Sequence, residues 1–335
     1  MSKPATTHGQ IGGVNVAPIG LGCMNLSHAY GRPPSEDDAI KLLHHALDLG
    51  VTHFDTAALY GFGKNESLLG RAFKGLRDDI HLASKCGMTG VDGKRVIDGR
   101  PETLHRTIDE ALVRLDTDVL DVYYLHRVDK AVPVEDSIGA MSEMVSAGKV
   151  KAIGLSEASS DSIYRAYAVH PIAALQTEYS LWSRNAEIAA LDTCQKLGIT
   201  FTAFSPLGRG FLANGLTDLC TLLDGDIRKG MPRFQPEAFA ENLKLLQPLN
   251  QLSVEVSVPL NQLALAWLLR QGDHVIPIPG TTDIAHLESN LAASQLDLDD
   301  AVFARLGEIV NEHTVTGPRY PAGTQLEIGT EEFSN

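Results

Sequence analysis

Short apolar, β-branched runs alternate with amphipathic helical patterns along almost the whole chain, and that alternation limits the folds open to it. The apolar runs are PIGLGCM (18–24), VTHFDTA (51–57), DIHLASKC (79–86), LDVYYLHR (120–127), VKAIGLSE (150–157), IAALQTEY (172–179), ITFTAFSP (199–206) and HVIPIP (274–279). Between them lie SEDDAIKLLHHALDLG (35–50), NESLLGRAFKG (65–75), RPETLHRTIDEALVRLD (100–116), VEDSIGAMSEMVSAGK (134–149), SSDSIYRAYAV (159–169) and NAEIAALDTCQKLG (185–198). Ser35, Asn65 and Ser159 stand where N-caps belong, and several of these segments stop at glycine. Strands joined through helices form parallel sheets, and eight of them predict an α/β fold closed into a (β/α)8 TIM barrel. An open doubly wound sheet is the alternative, but no GxGxxG follows the first strand; Gly61 and Gly63 come nearest and run into Lys64, Asn65 and Glu66.

Four segments exceed a minimal barrel. Residues 2–17, with HGQIGGVNVA, read as a hairpin closing the barrel floor. Residues 207–235 form a long loop of the functional or mobile kind. Extra helices flank the last strand, with 236–256 and 260–271 before it, and the tail from Thr316 to 335 reads as irregular. The expectation is one barrel domain over 1–335.

Charge and cysteines narrow the function classes. Lys and Arg number 28 against 42 Asp and Glu, a net −14, which opposes a nucleic-acid partner that would need clustered cations. Cys23, Cys86, Cys194 and Cys220 are scattered, without metal spacing, and read as free thiols in a reducing compartment. MSKPATTHGQ lacks the apolar core of a signal peptide, and no run reaches the about 18 apolar residues of a membrane span. A cytoplasmic protein without membrane contact is expected; the oligomeric state is not legible.

In such a barrel, chemistry occupies the C-terminal strand ends. Asp55, Lys85 and His126 fall at the ends of strands two, three and four, about 4.8 Å apart strand to strand, and Tyr60 sits on the loop above. Alone, each has an ordinary reading: a turn cap, a solvated lysine, a satisfied polar group, a packing aromatic. Together they suit carbonyl reduction without a metal. Tyr60 is the general acid, its phenol pulled down from about 10 by Lys85⁺. Asp55 keeps Lys85 charged, and His126 donates to the carbonyl oxygen.

These residues sit in segments that resemble the aldo-keto reductases, over about residues 8–320. FDTAALYG, LASKCG, DVYYLHR, GKVKAIGLSE, LQTEYSLW, FSPLGRGFL, NQLALAWLLRQG and PIPGTTDIAHLESNLAA follow one another in family order. The resemblance implies a catalytic tetrad of Asp55, Tyr60, Lys85 and His126, and NADP(H) bound without a Rossmann domain. It further implies that Ser156 and Gln176 hold the carboxamide and that Phe204 stacks on the nicotinamide. Ser205, Pro206, Leu207, Gly208, Arg209 and Gly210 would clamp the pyrophosphate, while Gly280, Thr281, Thr282, His286 and Asn290 surround the adenosine end. Met24 and Asp55 belong to the same cofactor surface. Glu157 stands where many members have Asn, leaving a carboxylate able only to accept from the carboxamide. His286 and Ser289 stand where Arg and Glu are frequent, so NADP is favoured over NAD less firmly than in members with that arginine. Asn25, Tyr30, Leu59, Met88, Arg127 and Trp182, with Met24, the 207–235 loop and the tail, are the candidate substrate pocket, apolar enough for aromatic or polycyclic carbonyls.

The expected activity is NADPH-dependent reduction of a small aldehyde or ketone, reversible as alcohol oxidation. One rival is a cofactor-binding regulatory subunit of the potassium-channel β type. Another is a Schiff-base lyase or isomerase using Lys85, which Asp55 opposes by keeping that lysine protonated.

Overall fold

A computed structural model of the chain describes residues 9–91 and 94–333; the first part of the expected 2–17 hairpin segment lies outside the described residues. Eight parallel strands run in chain order: β1 (Leu21–Gly22), β2 (His53–Asp55), β3 (His81–Cys86), β4 (Leu120–Leu125), β5 (Val150–Ser156), β6 (Ala174–Glu178), β7 (Thr200–Phe204) and β8 (Val275–Pro277). Gly20 N–H donates to Pro277 O at 3.0 Å and Gly22 N–H to Pro279 O at 3.3 Å, which joins the first strand to the last and closes the barrel. A parallel sheet is covered on both faces, so its strands are continuously apolar; all six residues of β4 are buried.

The helices form for local reasons and pack for global ones. In α1 (Glu36–Asp48), Ser35 Oγ accepts from Asp38 N–H while Glu36, Asp37 and Asp38 place negative charge at the N-terminus. Its Ala39, Leu42, Leu43 and Ala46 recur at helical spacing and bury one face on the strands. The remaining ring includes α2 (Lys64–Ala72), α3 (Pro101–Leu115), α4 (Val134–Ser146), α5 (Ser160–Val169) and α6 (Ala190–Leu197). Among the described residues, no single helix is long and apolar enough to cross a membrane.

The hairpin Gly9–Ile11 and Val14–Val16 does close the floor. Its Ile11 and Val16 join Ala83, Val122, Tyr124, Ala174 and Ile276 in one buried cluster inside the barrel. Polar groups are buried at the floor as well: His53 Nδ1 lies 3.0 Å from His81 Nδ1.

The structure departs from the sequence expectations in several places. The strands are shorter at their mouth ends, where residues turn into loops; Met24–Leu26, for example, is a 3-10 turn. Residues 236–256 are two helices, α7 (Pro236–Leu243) and α8 (Leu246–Val256), ahead of α9 (Leu260–Leu269). After β8 come α10 (Ile284–Ala292) and α11 (Asp300–Ile309), and the tail carries α12 (Ala322–Gln325), so it is not wholly irregular. An antiparallel hairpin, Met88–Val91 with Lys94–Ile97, follows β3 and was not expected. Its signal was present in the sequence as Asp92-Gly93 between two strand-forming runs, a pair that lies outside the described residues.

Candidate active site

The mouth of the barrel is organised around one buried ammonium. Lys85, at the end of β3, has no exposed surface. Its Nζ donates to Asp55 Oδ1 at 2.5 Å, to Thr56 O at 2.8 Å and to Tyr60 Oη at 3.1 Å. All three ammonium protons therefore have acceptors. The other carboxylate oxygen of Asp55 accepts from Gln176 Nε2 at 2.7 Å. Tyr60 arrives from the loop between β2 and α2, whose Gly61 (φ 59°) and Gly63 (φ 86°) take the left-handed conformations that turn the chain there. The His126 ring meets the Tyr60 ring edge-on, centroids 5.9 Å apart and planes at 85°. The structure thus brings Asp55, Tyr60, Lys85 and His126 together.

Burial sets the protonation states. For Lys85, burial opposes the charge, but Asp55 and Tyr60 outweigh it and raise its pKa above the ordinary value. Burial pushes the Asp55 carboxyl upward, against the pull of Lys85 and Gln176. The Tyr60 phenol is also raised, because loss of solvent exceeds the lowering by Lys85. That reverses the direction expected from the Lys85 charge alone: desolvation of a phenolate is the larger effect. Burial, with Arg127 and Lys85 nearby, holds His126 well below its usual range, so its ring is neutral.

These groups open into a cavity of about 750 Å³. Asp55, Tyr60 and His126 line it, as do Met24, Ser156, Gln176, Phe204, Ser205, Pro206, Leu207, Arg209, Gly210, Gly280, Thr281, His286 and Asn290. Of the candidate substrate residues, Asn25, Tyr30, Leu59, Met88 and Arg127 line it too. Gly208 is buried and Thr282 exposed, and neither faces the cavity.

Three expectations change. Glu157 does not face the cavity; its Oε1 accepts from Arg319 Nη1 at 3.1 Å and Glu178 N–H at 3.0 Å, its Oε2 from Arg319 Nη2 at 3.1 Å and Thr330 Oγ1 at 2.7 Å. With both oxygens saturated, it ties the C-terminal tail to the end of β5 instead of meeting a carboxamide. Trp182 is core, stacked on Phe211 with centroids 4.2 Å apart. Arg209 lines the cavity but is internally paired, donating to Glu178 Oε2 at 3.0 Å, Tyr30 Oη at 3.1 Å and Tyr320 Oη at 3.0 Å. The N-terminus of α10 is likewise partly satisfied, since Asp283 Oδ1 accepts from His286 N–H at 3.0 Å.

A dinucleotide fits the remaining surface. Asn25 Oδ1 and His28 Nδ1 are buried in the lining without partners among the described residues. Where β1 meets the end of β8 the backbones form a close cradle: a Cβ on Gly22 would lie 2.8 Å from Ile278 O, and one on Gly280 2.9 Å from Gly22 O. Glu157, Ser205 and Arg209 all have positive φ (52°, 49° and 58°), so unfavourable backbone geometry for non-glycine residues collects at the ends of β5 and β7. Sequence reasoning missed Arg95 and His28 as liners, and it named the 207–235 loop and the tail only as segments, from which Arg228, Met231, Tyr320, Pro321 and Thr324 line the cavity. No periodic signal marks such loop positions.

Comparison with known proteins gives a consistent result. Residues 18–311 match the model of the aldo/keto reductase family. The aldo-keto reductase yakc of Schizosaccharomyces pombe, whose name carries NADP(+), is 40% identical over 326 residues, covering 95% of this chain and 96% of that protein. The probable aldo-keto reductase 1 of Glycine max is 41% identical over 315 residues, 93% of this chain and 90% of that protein. Among solved structures, the glycerol dehydrogenase of Gluconobacter oxydans superposes with a TM-score of 0.84 at 25% identity, covering 95% of this chain and 99% of that one.

Proposed function

The chain belongs to the aldo/keto reductase family, and on that premise we propose that it reduces an aldehyde or ketone to the alcohol with NADPH, Tyr60 acting as the proton donor. The observation that carries the reading is the Tyr60 hydroxyl held 3.1 Å from a lysine whose charge is fixed by Asp55. Bound NADPH supplies the hydride for the carbonyl carbon. Ser156, Gln176 and Phe204 would hold its nicotinamide end, the 205–210 segment its phosphates, and Gly280, Thr281, His286 and Asn290 its adenosine end. His286 and Ser289 put no fixed positive charge there, and Ser289 Oγ already accepts from Asn261 Nδ2 at 2.9 Å.

With its pKa raised, Tyr60 is protonated before reaction and able to give its proton to the developing alkoxide. Lys85, 3.1 Å away, then stabilises the phenolate left behind. Neutral His126 can donate one ring N–H to the carbonyl oxygen, and its Nδ1 is buried without a partner among the described residues. The whole chain, 1–335, acts as one barrel domain in this reading. A Schiff-base role for Lys85 is disfavoured, because its three protons are engaged and its pKa is raised.

The test is NADPH consumption by purified protein against aldehydes, dicarbonyls and ketones, with deuterium from 4-deuterated NADPH traced to the carbinol carbon. Label transfer with at least one substrate is expected. Tight NADPH binding with no turnover across the panel would instead favour the regulatory-subunit reading.

A further inference from the structure

The cavity opposes the charge of its own chain. Among the described residues lining it, one carboxylate, Asp55, faces four arginines, Arg95, Arg127, Arg209 and Arg228, although the chain carries a net −14. Asp55 is committed to Lys85. Arg209 is matched by Glu178 at 3.0 Å, Arg228 by Asp226 at 2.7 Å, and Arg95 by Glu327. Arg127 has no carboxylate partner among the described residues. It is 7% exposed. Its Nη1 donates to two neutral acceptors, His126 O at 2.6 Å and Ser156 Oγ at 3.3 Å, and its buried Nε has no partner. Glu157, whose carboxyl feels the Arg127 charge, is saturated by Arg319, Thr330 and the Glu178 amide. A guanidinium taken out of water without a counter-charge is costly, and its planar fork fits a carboxylate.

Position decides what the counter-ion belongs to. Arg127 directly follows His126, and its charge acts on both Tyr60 and His126, so it stands at the reacting end of the cavity. The segments proposed for the cofactor's phosphates and its adenosine end, 205–210 and 280–290, follow β7 and β8. We propose that Arg127 anchors a carboxylate on the carbonyl substrate, making acid-bearing aldehydes or ketones the preferred substrate class. The proposal rests on the reductase reading for its use in turnover, though the anion site itself can be tested without it.

The experiment compares 2-, 3- and 4-carboxybenzaldehyde with their methyl esters, using NADPH and wild type, Arg127→Met and Arg127→Lys. For wild type, at least one acid isomer exceeds its ester by about 10–100-fold in kcat/KM, mostly through KM. Arg127→Met brings that ratio near one, and Arg127→Lys keeps part of it. Benzoate binding to the wild-type NADP⁺ complex, followed by calorimetry, needs neither turnover nor a variant. If no carbonyl is reduced but benzoate binds wild type and not Arg127→Met, the reductase reading fails while the anion site stands. Acid-to-ester ratios at or below one for all isomers overturn the proposal, as does wild type that binds no benzoate. Equal loss on acid and ester in Arg127→Met makes the residue structural, and an unchanged ratio with weakened NADPH binding assigns it to the cofactor; either result overturns the substrate anchor.

Discussion

At the floor of the barrel, where β2 and β3 begin, His53 and His81 face each other with their Nδ1 atoms 3.0 Å apart. At the mouth, where the same two strands end, Asp55 and Lys85 meet at 2.5 Å. Both pairs are buried, but burial resolves them differently. At the floor, loss of solvent pushes both imidazoles down, His53 to about 4 and His81 to about 3, so the pair is neutral at physiological pH. The nearby Asp121 is served by Arg77 and Lys151, which reach it from the surface. At the mouth, Lys85 keeps its charge because Asp55, Thr56 O and Tyr60 take all its protons. The floor therefore closes a core, while the mouth stores a fixed charge beside a cavity. That asymmetry supports placing the proposed chemistry at the mouth of the barrel.

Removing the mouth charge should have the largest effect. Lys85→Met leaves Asp55 buried with only Gln176; turnover should fall by about 10²–10⁴-fold and stability by about 3–5 kcal/mol. Urea titration beside a steady-state assay measures both, and a stable, fully active variant would remove the distinction between the two ends. Next is Arg319→Met, which strands the buried Glu157 carboxylate and frees the tail that carries Tyr320 to the cavity. We expect a loss of about 3 kcal/mol in denaturant unfolding, with a raised KM as the tail loosens. The floor should respond only to acid. The folded-state imidazoles lie below the free value of 6.5, so unfolded chains bind more protons as pH falls. Their contribution to stability is complete above about pH 6.5 and is lost as pH falls towards about 4 for His53 and about 3 for His81, on the order of several kcal/mol for the pair. His53→Gln should flatten that slope in a pH series of thermal melts; an unchanged slope would place the acid sensitivity elsewhere.

Much of this was legible in the sequence because it followed from periodicity. Even β2, only three residues long, announces its end in the apolar run around it, which is how Asp55, Lys85 and His126 could be set side by side. What depends on distant partners was not legible. Glu157 meets Arg319 from the far end of the chain, so nothing local distinguished a cofactor contact from a tail anchor. Trp182 reads as an aromatic near a strand end, but whether it faces the cavity or Phe211 depends on packing. The upward direction of the Tyr60 pKa was missed because the sequence displays Lys85 but not the depth of burial.

Tyr60→Phe removes the proposed proton donor, and with it one acceptor of Lys85, while the ring that packs against His126 remains. Measured on one preparation, kcat for the best aldehyde should fall by about 10²–10⁴-fold while the NADPH Kd stays within about threefold. A variant that binds NADPH and turns over at close to the wild-type rate would contradict Tyr60 as the acid, and with it the reading of the buried Asp55–Lys85 pair as its support.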